Sequence, residues 1–327
     1  NGGSVTFNAA QDINQESALY PSGYGKLSFT AGNNVTLGTV SASNANVSFD
    51  AGNNITVGSD IEGTNNGRVS LVAGNTNAVN GSVIAKRNGQ VSLDAEVQNH
   101  VTGNLGANYL VTETHEPLPG TINLSTRGMN AVDGNIATYG GSQVTLDGNT
   151  NTVGSSVYSQ GFGDANAKIA LNATSDNIVN AFLQATDNGF IHLSAGESNI
   201  VKNTGNAGNA IFAQRSGKVE LVDAKTNSVT GNIYSDSSIV NLTATNDNVV
   251  TGNLSALNNG QVNLAAEVQN HVMGHLMLHY LNNTTREALP GVINLTTSGT
   301  NAIDGSIFTY GSSHATLDGD VNTVGAI

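Results

Sequence analysis

The sequence predicts an all-β fold, a single-stranded right-handed parallel β-helix of about 14 coils, with about 22 residues and three short strands per coil. Three observations predict it: a recurring apolar-polar-apolar triplet, a recurring Asn that precedes Val or Ile, and Gly- and Asn-rich junctions. Regularly spaced Val, Ile and Leu also argue against a disordered chain, because a disordered segment has no core to bury.

The first strand of each coil is predicted from the triplet, in which two apolar residues flank a polar one. Alternation with a period of two residues, rich in β-branched side chains, is typical of a strand with one buried face. Most of the fourteen copies begin 20 to 22 residues apart. They begin at Val5, Leu27, Val47, Val69, Val91, Ile122, Val144, Ile169, Ile191, Val219, Val240, Val262, Ile293 and Ala315.

The second strand is predicted from Asn, any residue, then Val or Ile, which follows the triplet from the third copy onward. Asn77-Ala78-Val79 is one example, and the third strand often reads Gly-polar-apolar, as in Gly134-Asn135-Ile136. Gly and Asn supply the backbone angles that tight corners need. The recurring Asn predicts a ladder of amide side chains that hydrogen-bond along the axis, with a simple turn preference as the alternative.

The domain organisation follows from the repeat. Residues 1–327 are predicted to be one continuous β-helix fragment of a longer protein. Residues 90–154 reappear as 261–325, an offset of 171 residues or seven coils, which indicates an internal duplication. Extra residues in a solenoid bulge outward from its wall, so protruding loops are expected at 109–120, 161–167, 204–208 and 280–291.

Composition excludes some function classes. The formal net charge of −13 argues against nucleic-acid binding, because phosphates require clustered Lys and Arg. No apolar run approaches the ~20 residues that span a bilayer. The absence of Cys fits a reducing cytosol or an exported protein without disulfides, and so does not fix a compartment.

The sequence resembles the passenger regions of bacterial autotransporter and filamentous-haemagglutinin-type adhesins. The resemblance lies in Ala31-Gly32-Asn33-Asn34-Val35-Thr36-Leu37, in the similar segment at 51–57, and in Cys-free, Gly/Asn/Thr/Ser-rich coils along essentially the whole chain. It implies a β-helix displayed on a bacterial surface or secreted, and exported through an outer-membrane barrel elsewhere in the full-length protein. A closed coil of about 22 residues favours a monomer over a trimeric adhesin head.

Catalysis and metal binding have weaker signals. Carbohydrate-active β-helix enzymes need two or three carboxylates on adjacent coils, whereas the Asp residues here mostly stand alone beside Gly or Asn, as turns use them. The expectation is therefore a protein that is not an enzyme and needs no cofactor. His271, His275 and His279 form the one metal candidate, but the duplicate matches only the first of them, with His100.

Adhesion is the leading functional hypothesis, with the two longest loops as its contact regions. Tyr and Arg commonly anchor interfaces, so the candidate ligand-binding residues are Tyr109, His115, Glu116, Tyr280, Arg286 and Glu287. The expected partner is a protein or glycan on a host or bacterial cell surface. The alternatives are a purely structural stalk that spaces a distal binding region, and a carbohydrate-active enzyme.

Overall fold

The chain folds into a parallel β-solenoid of about 14 turns with about 22 residues per turn. The computed structural model describes residues 2–108, 118–203, 208–279 and 289–326. Within these ranges every regular element is a strand, 35 in all, and no helix is long and apolar enough to cross a membrane. The predicted parallel β-helix is therefore confirmed.

The first strands of the coils contain the predicted triplets. Ten of them are separate strands: β1 Ser4–Ala9, β3 Lys26–Ala31, β6 Asn46–Ala51, β9 Arg68–Ala73, β12 Gln90–Ala95, β15 Thr121–Thr126, β22 Phe190–Ala195, β29 Gln261–Ala266, β32 Val292–Thr297 and β34 His314–Asp318. In four coils the first and second strands run together: β18 Gln143–Val153, β20 Lys168–Val179, β25 Lys218–Thr230 and β27 Ile239–Val250.

The second and third strands complete each turn. The separate second strands are β2 Ile13–Gln15, β4 Val35–Leu37, β7 Asn54–Val57, β10 Thr76–Val79, β13 Gln98–Val101, β16 Met129–Val132, β23 Ser198–Lys202, β30 Gln269–Val272 and β35 Val321–Ala326. The third strands are β5 Val40–Ser43, β8 Ile61–Thr64, β11 Val83–Lys86, β14 Leu105–Asn108, β17 Ile136–Tyr139, β19 Val157–Gln160, β21 Leu183–Thr186, β24 Asn209–Gln214, β26 Asn232–Asp236, β28 Leu254–Leu257 and β31 Leu276–His279. β33 Thr300–Thr309 combines a second and a third strand.

Three separate strands per coil is thus not universal. In β25 the bend between the first and second strands is absorbed within one strand, because the parallel pairing with β27 shifts register around Ala224. Asp223 beside it has a φ of 59°. A local bulge of this kind turns the chain without ending the ladder.

The chain comprises two compact units. Unit 1 comprises Asn1–Ser155 and Asp164–Ala173, and unit 2 comprises Ser156–Gly163 and Thr174–Ile327. In unit 1, Phe7, Phe29 and Phe49 are in register on β1, β3 and β6, with ring centroids 4.8 and 5.0 Å apart. In unit 2 the same column is Leu, as at Leu242 and Leu264. Each unit therefore has a core of like side chains stacked at the strand spacing.

Buried Asn side chains form a second column inside each unit. In unit 1 the Nδ2 groups of Asn77, Asn99 and Asn130 each donate to the Oδ1 of the next Asn, at 2.9 Å. Each amide also donates to a backbone carbonyl of the next coil, as Asn77 does to Asp94 at 2.8 Å. The predicted amide ladder is confirmed. Its members are Asn77, Asn99, Asn130 and Asn151 in unit 1, and Asn177, Asn199, Asn227, Asn248, Asn270, Asn301 and Asn322 in unit 2.

Tight turns connect the third strand of one coil to the first strand of the next. In the turn from Lys86 to Gly89, Arg87 and Asn88 have φ values of 54° and 61°, and the Gly89 N–H donates to the Lys86 carbonyl at 3.0 Å. Two consecutive residues with positive φ are the signature of a type I′ turn. Asn65-Asn66, Asp187-Asn188, Arg215-Ser216 and Asn258-Asn259 repeat it.

The Gly-polar-apolar motif builds the corner before the third strand. Its polar side chain accepts the backbone N–H of the equivalent residue one coil on: Ser82 accepts from Asn104 at 3.1 Å, and Asn104 from Asn135 at 2.8 Å. A Cβ on Gly134 would lie 2.5 Å from the Asn104 Oδ1. Gly is needed because the side chain of the preceding coil occupies that space.

The prolines of the described residues avoid the strands. Pro21, Pro119 and Pro290 lie outside the strands, as expected of a residue that cannot donate to a ladder, and Pro117 is outside the described residues. Residues 161–167 contain no strand beyond isolated bridges. The other predicted protrusions fall mostly on residues that the structure does not describe.

Candidate functional site

The six loop residues predicted to bind a ligand lie outside the described residues, so their role stays a prediction. They are Tyr109, His115, Glu116, Tyr280, Arg286 and Glu287.

The three His residues proposed for a metal do not share one strand. His271 lies in β30, His275 in the corner that follows it, and His279 at the end of β31. His271 Nε2 lies 3.1 Å from both carboxylate oxygens of Asp304, whereas His275 Nδ1 accepts the backbone N–H of Ser306 at 2.8 Å. Across the described ranges no three His, Cys, Asp or Glu side chains form a metal-binding group.

His275 is a structural member of the corner column. It occupies the position that Asn104 occupies in the duplicated coil, and both accept a backbone N–H through the side chain. We expect His275→Asn to keep the free energy of unfolding within about 0.5 kcal/mol of wild type, and His275→Ala to lower it by about 1 kcal/mol, because the Ser306 N–H loses its acceptor. Urea denaturation of the two variants checks this, and equal losses in both would contradict the acceptor role.

Carboxylates pair with imidazole, Arg and Lys side chains between coils on the outer surface. Duplicate positions carry His100 3.1 Å from Asp133 and His271 3.1 Å from Asp304. Arg127 and Lys225 bind Glu96 and Glu197 across coils at 2.6 and 2.7 Å. Such exposed pairs stabilise a surface weakly and do not bring two carboxylates together for acid–base chemistry.

A denser charged cluster lies on the first strands of unit 2. Lys218 Nζ lies 2.6 Å from Glu220 Oε1, and His192 Nδ1 lies 3.4 Å from Glu220 Oε2. Burial opposes ionisation of Glu220, but the Lys218 hydrogen bond and charge outweigh it and lower the pKa of Glu220, with help from Asn241 and His192. A carboxylate held ionised in this way is a poor general acid.

A chain of outward amides ends on the same carboxylate. Asn294 donates to Asn263 at 2.9 Å, Asn263 to Asn241 at 2.8 Å, and Asn241 to Glu220 at 3.3 Å. All three donors point toward the negative charge. These hydrogen bonds therefore hold the cluster in one arrangement, which is typical of a structural role.

Asp187 is held in a similar way beside the third strands. Arg215 Nε and Nη2 both donate to its carboxylate, the second at 2.8 Å, and Gln160 Nε2 donates at 3.0 Å. The Arg215 hydrogen bond is the main reason that the pKa of Asp187 is lowered, and the same contact raises the pKa of Arg215. Tyr158 in turn donates to Gln160 at 2.7 Å, which fixes the polar border of the third strands.

The third strands of unit 2 carry a different surface, with large side chains that point outward. Because strand residues alternate between faces, the residue that follows the first buried position of each third strand faces outward. Parallel pairing places these outward residues in one column. The outer column of unit 2 consists of Tyr158, Gln184, Phe212, Tyr234, Ser255, Met277 and Phe308.

Phe212 and Tyr234 form the centre of the outer column. Their rings stack with centroids 5.0 Å apart and planes inclined by 20°. Partial burial, together with the nearby Asp236 carboxylate, raises the pKa of Tyr234. At the far end Phe308 is 42 % exposed, with the His275 ring 5.6 Å away.

Ser255 interrupts the large side chains of the outer column. It pairs with Tyr234 on one side and Met277 on the other. Although Ser255 faces outward, it is only 7 % exposed, so its larger neighbours overhang it. The outer surface is therefore closed over Ser255.

The equivalent positions in unit 1 lack this surface. There the outward column reads Ser41, Glu62, Ile84, Gly106 and Ala137. By the 171-residue offset, Gly106 corresponds to Met277 and Ala137 to Phe308. The two copies thus differ by large apolar side chains at outward positions, where they add nothing to the core.

The outer column was not predicted from sequence, because its members come from different coils and are brought together only by the pairing between strands. The replacement of Gly and Ala by Met and Phe between the duplicates was the signal available. Comparison of the chain with protein-family models, curated proteins and solved structures returned no match.

Proposed function

We propose that this chain is part of a cell-surface adhesin, in which a β-solenoid stalk presents the outer column of unit 2 to a partner. The observation that carries the proposal is the column itself: partly exposed Phe212, Tyr234 and Met277 with exposed Phe308 on one face of unit 2. Contiguous exposed apolar side chains commonly mark interaction sites.

The difference between the duplicated coils supports this choice. An exposed Met or Phe costs solubility and gains no core burial, so a bare spacer has no physical need for Met277 and Phe308. Tyr and other aromatic side chains also anchor interfaces, because they bury much area and lose few rotamers.

The compartment and the partner rest on the resemblance to autotransporter passengers. On that basis the chain lies on a bacterial surface or is secreted, and it attaches to a protein or glycan on host or neighbouring cells. The candidate loops with Tyr109, His115 and Glu116, and with Tyr280, Arg286 and Glu287, remain additional proposed contacts.

The second candidate is a purely structural stalk. The buried amide ladders favour it, because they hold successive coils together without any ligand. A carbohydrate-active enzyme is the third candidate, because the charged side chains that lie close together, as described above, are pairs of opposite charge and not pairs of carboxylates.

The test changes the outer column to the residues of its own duplicate. The double variant Met277→Gly, Phe308→Ala is expected to reduce attachment of beads coated with the 327-residue chain to cultured host cells and to bacteria by about tenfold, equivalent to 1.4 kcal/mol. Val268→Ala is the matched control, because Val268 is 56 % exposed in the same unit but lies outside the third strands.

Wild-type beads that attach no better than uncoated beads would favour the bare stalk. Attachment that survives the double variant but is lost when 109–120 and 280–291 are deleted would transfer the contact to the loops. Equal losses in the double variant and in Val268→Ala would remove the outer column from the proposal.

A further inference from the structure

One corner of unit 1 is shorter than the corners on either side of it. Two residues, 44–45, connect the third strand β5 to the first strand β6. Three residues connect the equivalent positions in the next coil, 65–67, and three in the preceding coil, 23–25. The chain at 44–45 therefore takes a shorter path, and this corner is recessed between two longer turns.

Unit 2 shows how a short corner affects the surface. Residues 237–238 connect β26 to β27, whereas three residues make the same connection in each neighbouring coil. A cavity of about 440 Å³ lies at this corner, and its lining includes Lys218, Ile239 and Gln261 from the starts of three first strands. A corner that is one residue short thus leaves room for a ligand.

In unit 1 the recess is flanked by two cations. The outward column at the start of the first strands reads Ser4, Lys26, Asn46, Arg68 and Gln90. Lys26 and Arg68 therefore lie on either side of the recessed coil, and both are exposed. They are two strands apart, roughly 9–10 Å at the usual strand spacing. Both side chains are long enough to reach one anion placed over Asn46.

Neither cation is neutralised within the part of the chain that the structure describes. No ion pair joins Lys26 or Arg68 to a carboxylate there. Glu62, on the adjoining third strand, is bound to Lys86 and accepts the Ser41 hydroxyl at 3.2 Å. The two charges are therefore available to a ligand.

The equivalent lysine of unit 2, Lys218, is neutralised. Its Nζ lies 2.6 Å from an oxygen of Glu220, which is two residues further along the same strand. Two residues after Lys26 the strand has Ser28, whose hydroxyl lies 2.7 Å from that of Ser48. The two short corners therefore differ in charge, and unit 2 supplies an internal control.

The recess also lies at the end of a ladder of amide donors. Asn88 Nδ2 donates to Asn66 Oδ1 at 3.3 Å, and Asn66 Nδ2 donates to Asn44 Oδ1 at 3.4 Å. Each donor points toward the preceding coil, so Asn44 Nδ2 ends the ladder, and no described residue accepts from it. A donor without an acceptor, beside two cations, suits an anion.

We infer that this corner of unit 1 binds a phosphate monoester carried by a sugar. The site is separate from the outer column and goes beyond the proposed function. A phosphate monoester has a charge of about −1.5 to −2 at neutral pH, which matches two cations better than a singly charged sulfate ester does. Arg68 can bind two phosphate oxygens with its planar guanidinium, and Lys26 adds a compact positive charge.

The surroundings of the two cations favour a sugar as the carrier of the phosphate. Asn44 and Asn46 offer amide groups, which can both donate to and accept from sugar hydroxyls. Tyr24 lies in the flanking turn and is 78 % exposed, so its ring is open to the apolar C–H face of a sugar.

Isothermal titration calorimetry of the 327-residue chain at low ionic strength tests this site. Glucose 6-phosphate should bind saturably, and glucose and glucose 6-sulfate should bind about tenfold more weakly or less. Lys26→Gln and Arg68→Gln should each weaken the binding of glucose 6-phosphate by about tenfold. Ser28→Glu should cause a similar loss while it keeps both cations, because it gives Lys26 the carboxylate partner that Lys218 has.

Lys218→Gln is the matched control, because it removes a lysine that is already neutralised, and it should leave the affinity unchanged. The site would be overturned by the absence of saturable binding of glucose 6-phosphate, by full affinity in Ser28→Glu, or by equal losses in Lys218→Gln and Lys26→Gln. Equal binding of glucose 6-sulfate would overturn the assignment to phosphate, and tighter binding of O-phosphoserine would overturn the assignment to a sugar. Circular dichroism of each variant separates lost binding from lost folding.

Discussion

Asn227→Ala is expected to lower the free energy of unfolding by about 3 kcal/mol or more, because it breaks the amide ladder of unit 2 in its middle. Asn227 is fully buried. Its amide nitrogen donates to Asn248 Oδ1 and to the Thr243 carbonyl, both at 2.9 Å, and its Oδ1 accepts from Asn199 at 3.0 Å. The substitution leaves the Asn248 Oδ1 and one N–H of Asn199 without a partner inside the core, each at a cost of about 1–3 kcal/mol, and also removes the donor to the Thr243 carbonyl.

The matched control is Asn77→Ala at the first member of the ladder in unit 1. Asn77 donates two hydrogen bonds, but its Oδ1 is buried without a partner, because the preceding coil has Ile55 at this position. The control variant therefore removes one buried oxygen that had no hydrogen-bond partner, and it leaves fewer other groups without a partner. In urea denaturation followed by circular dichroism, the unfolding midpoint of Asn227→Ala should lie well below that of Asn77→Ala. Equal midpoints would show that an Asn inside the ladder stabilises the fold no more than the Asn at its end.

The ladder could be predicted from sequence because its signal is local. Asn recurs at a constant distance from the buried triplet, and one buried position per coil is enough to define a column. The predicted starting point is wrong: the sequence pattern begins in the third coil, where Asn53-Asn54 precedes Ile55, but Ile55 is the residue that points inward there. Asn54 instead donates to Asn34 at the corner, at 3.3 Å. Asn serves both positions, and only the side-chain direction separates them.

The candidate site could not be predicted in the same way. A column on the outer face depends on the register between coils, and the 31-residue steps hide that register in the sequence. The His triplet illustrates the difficulty, since a spacing of four residues shares a face within one strand, whereas His271 and His275 are separated by a corner. Tyr234 and Met277 are 43 residues apart, and nothing local links them to Ser255.

Gly89→Ala is expected to lower the free energy of unfolding by about 3 kcal/mol, through a clash between backbones. A Cβ on Gly89 would lie 1.8 Å from the carbonyl oxygen of Gly63 in the preceding coil and 2.8 Å from that of Lys86. Neither atom belongs to a flexible side chain, so relief requires the coils to separate locally. Separation would weaken the neighbouring hydrogen bond from the Gln90 N–H to the Gly67 carbonyl, which is 2.9 Å long.

Gly106→Ala is the control for this clash. Gly106 faces outward in β14, and the nearest atom to its added Cβ is 3.9 Å away. The duplicate has Met277 at the same position, so a side chain is accommodated there. We expect Gly106→Ala to leave the urea midpoint unchanged or to raise it slightly, since Ala restricts the unfolded chain. A similar loss in both variants would assign the effect to the general replacement of Gly in strands. A loss of stability confined to Gly89→Ala would establish that the close approach of one coil to the next requires Gly at this corner. The same approach occurs at Gly67 and Gly217, where an added Cβ would lie 2.0 and 2.1 Å from a carbonyl oxygen.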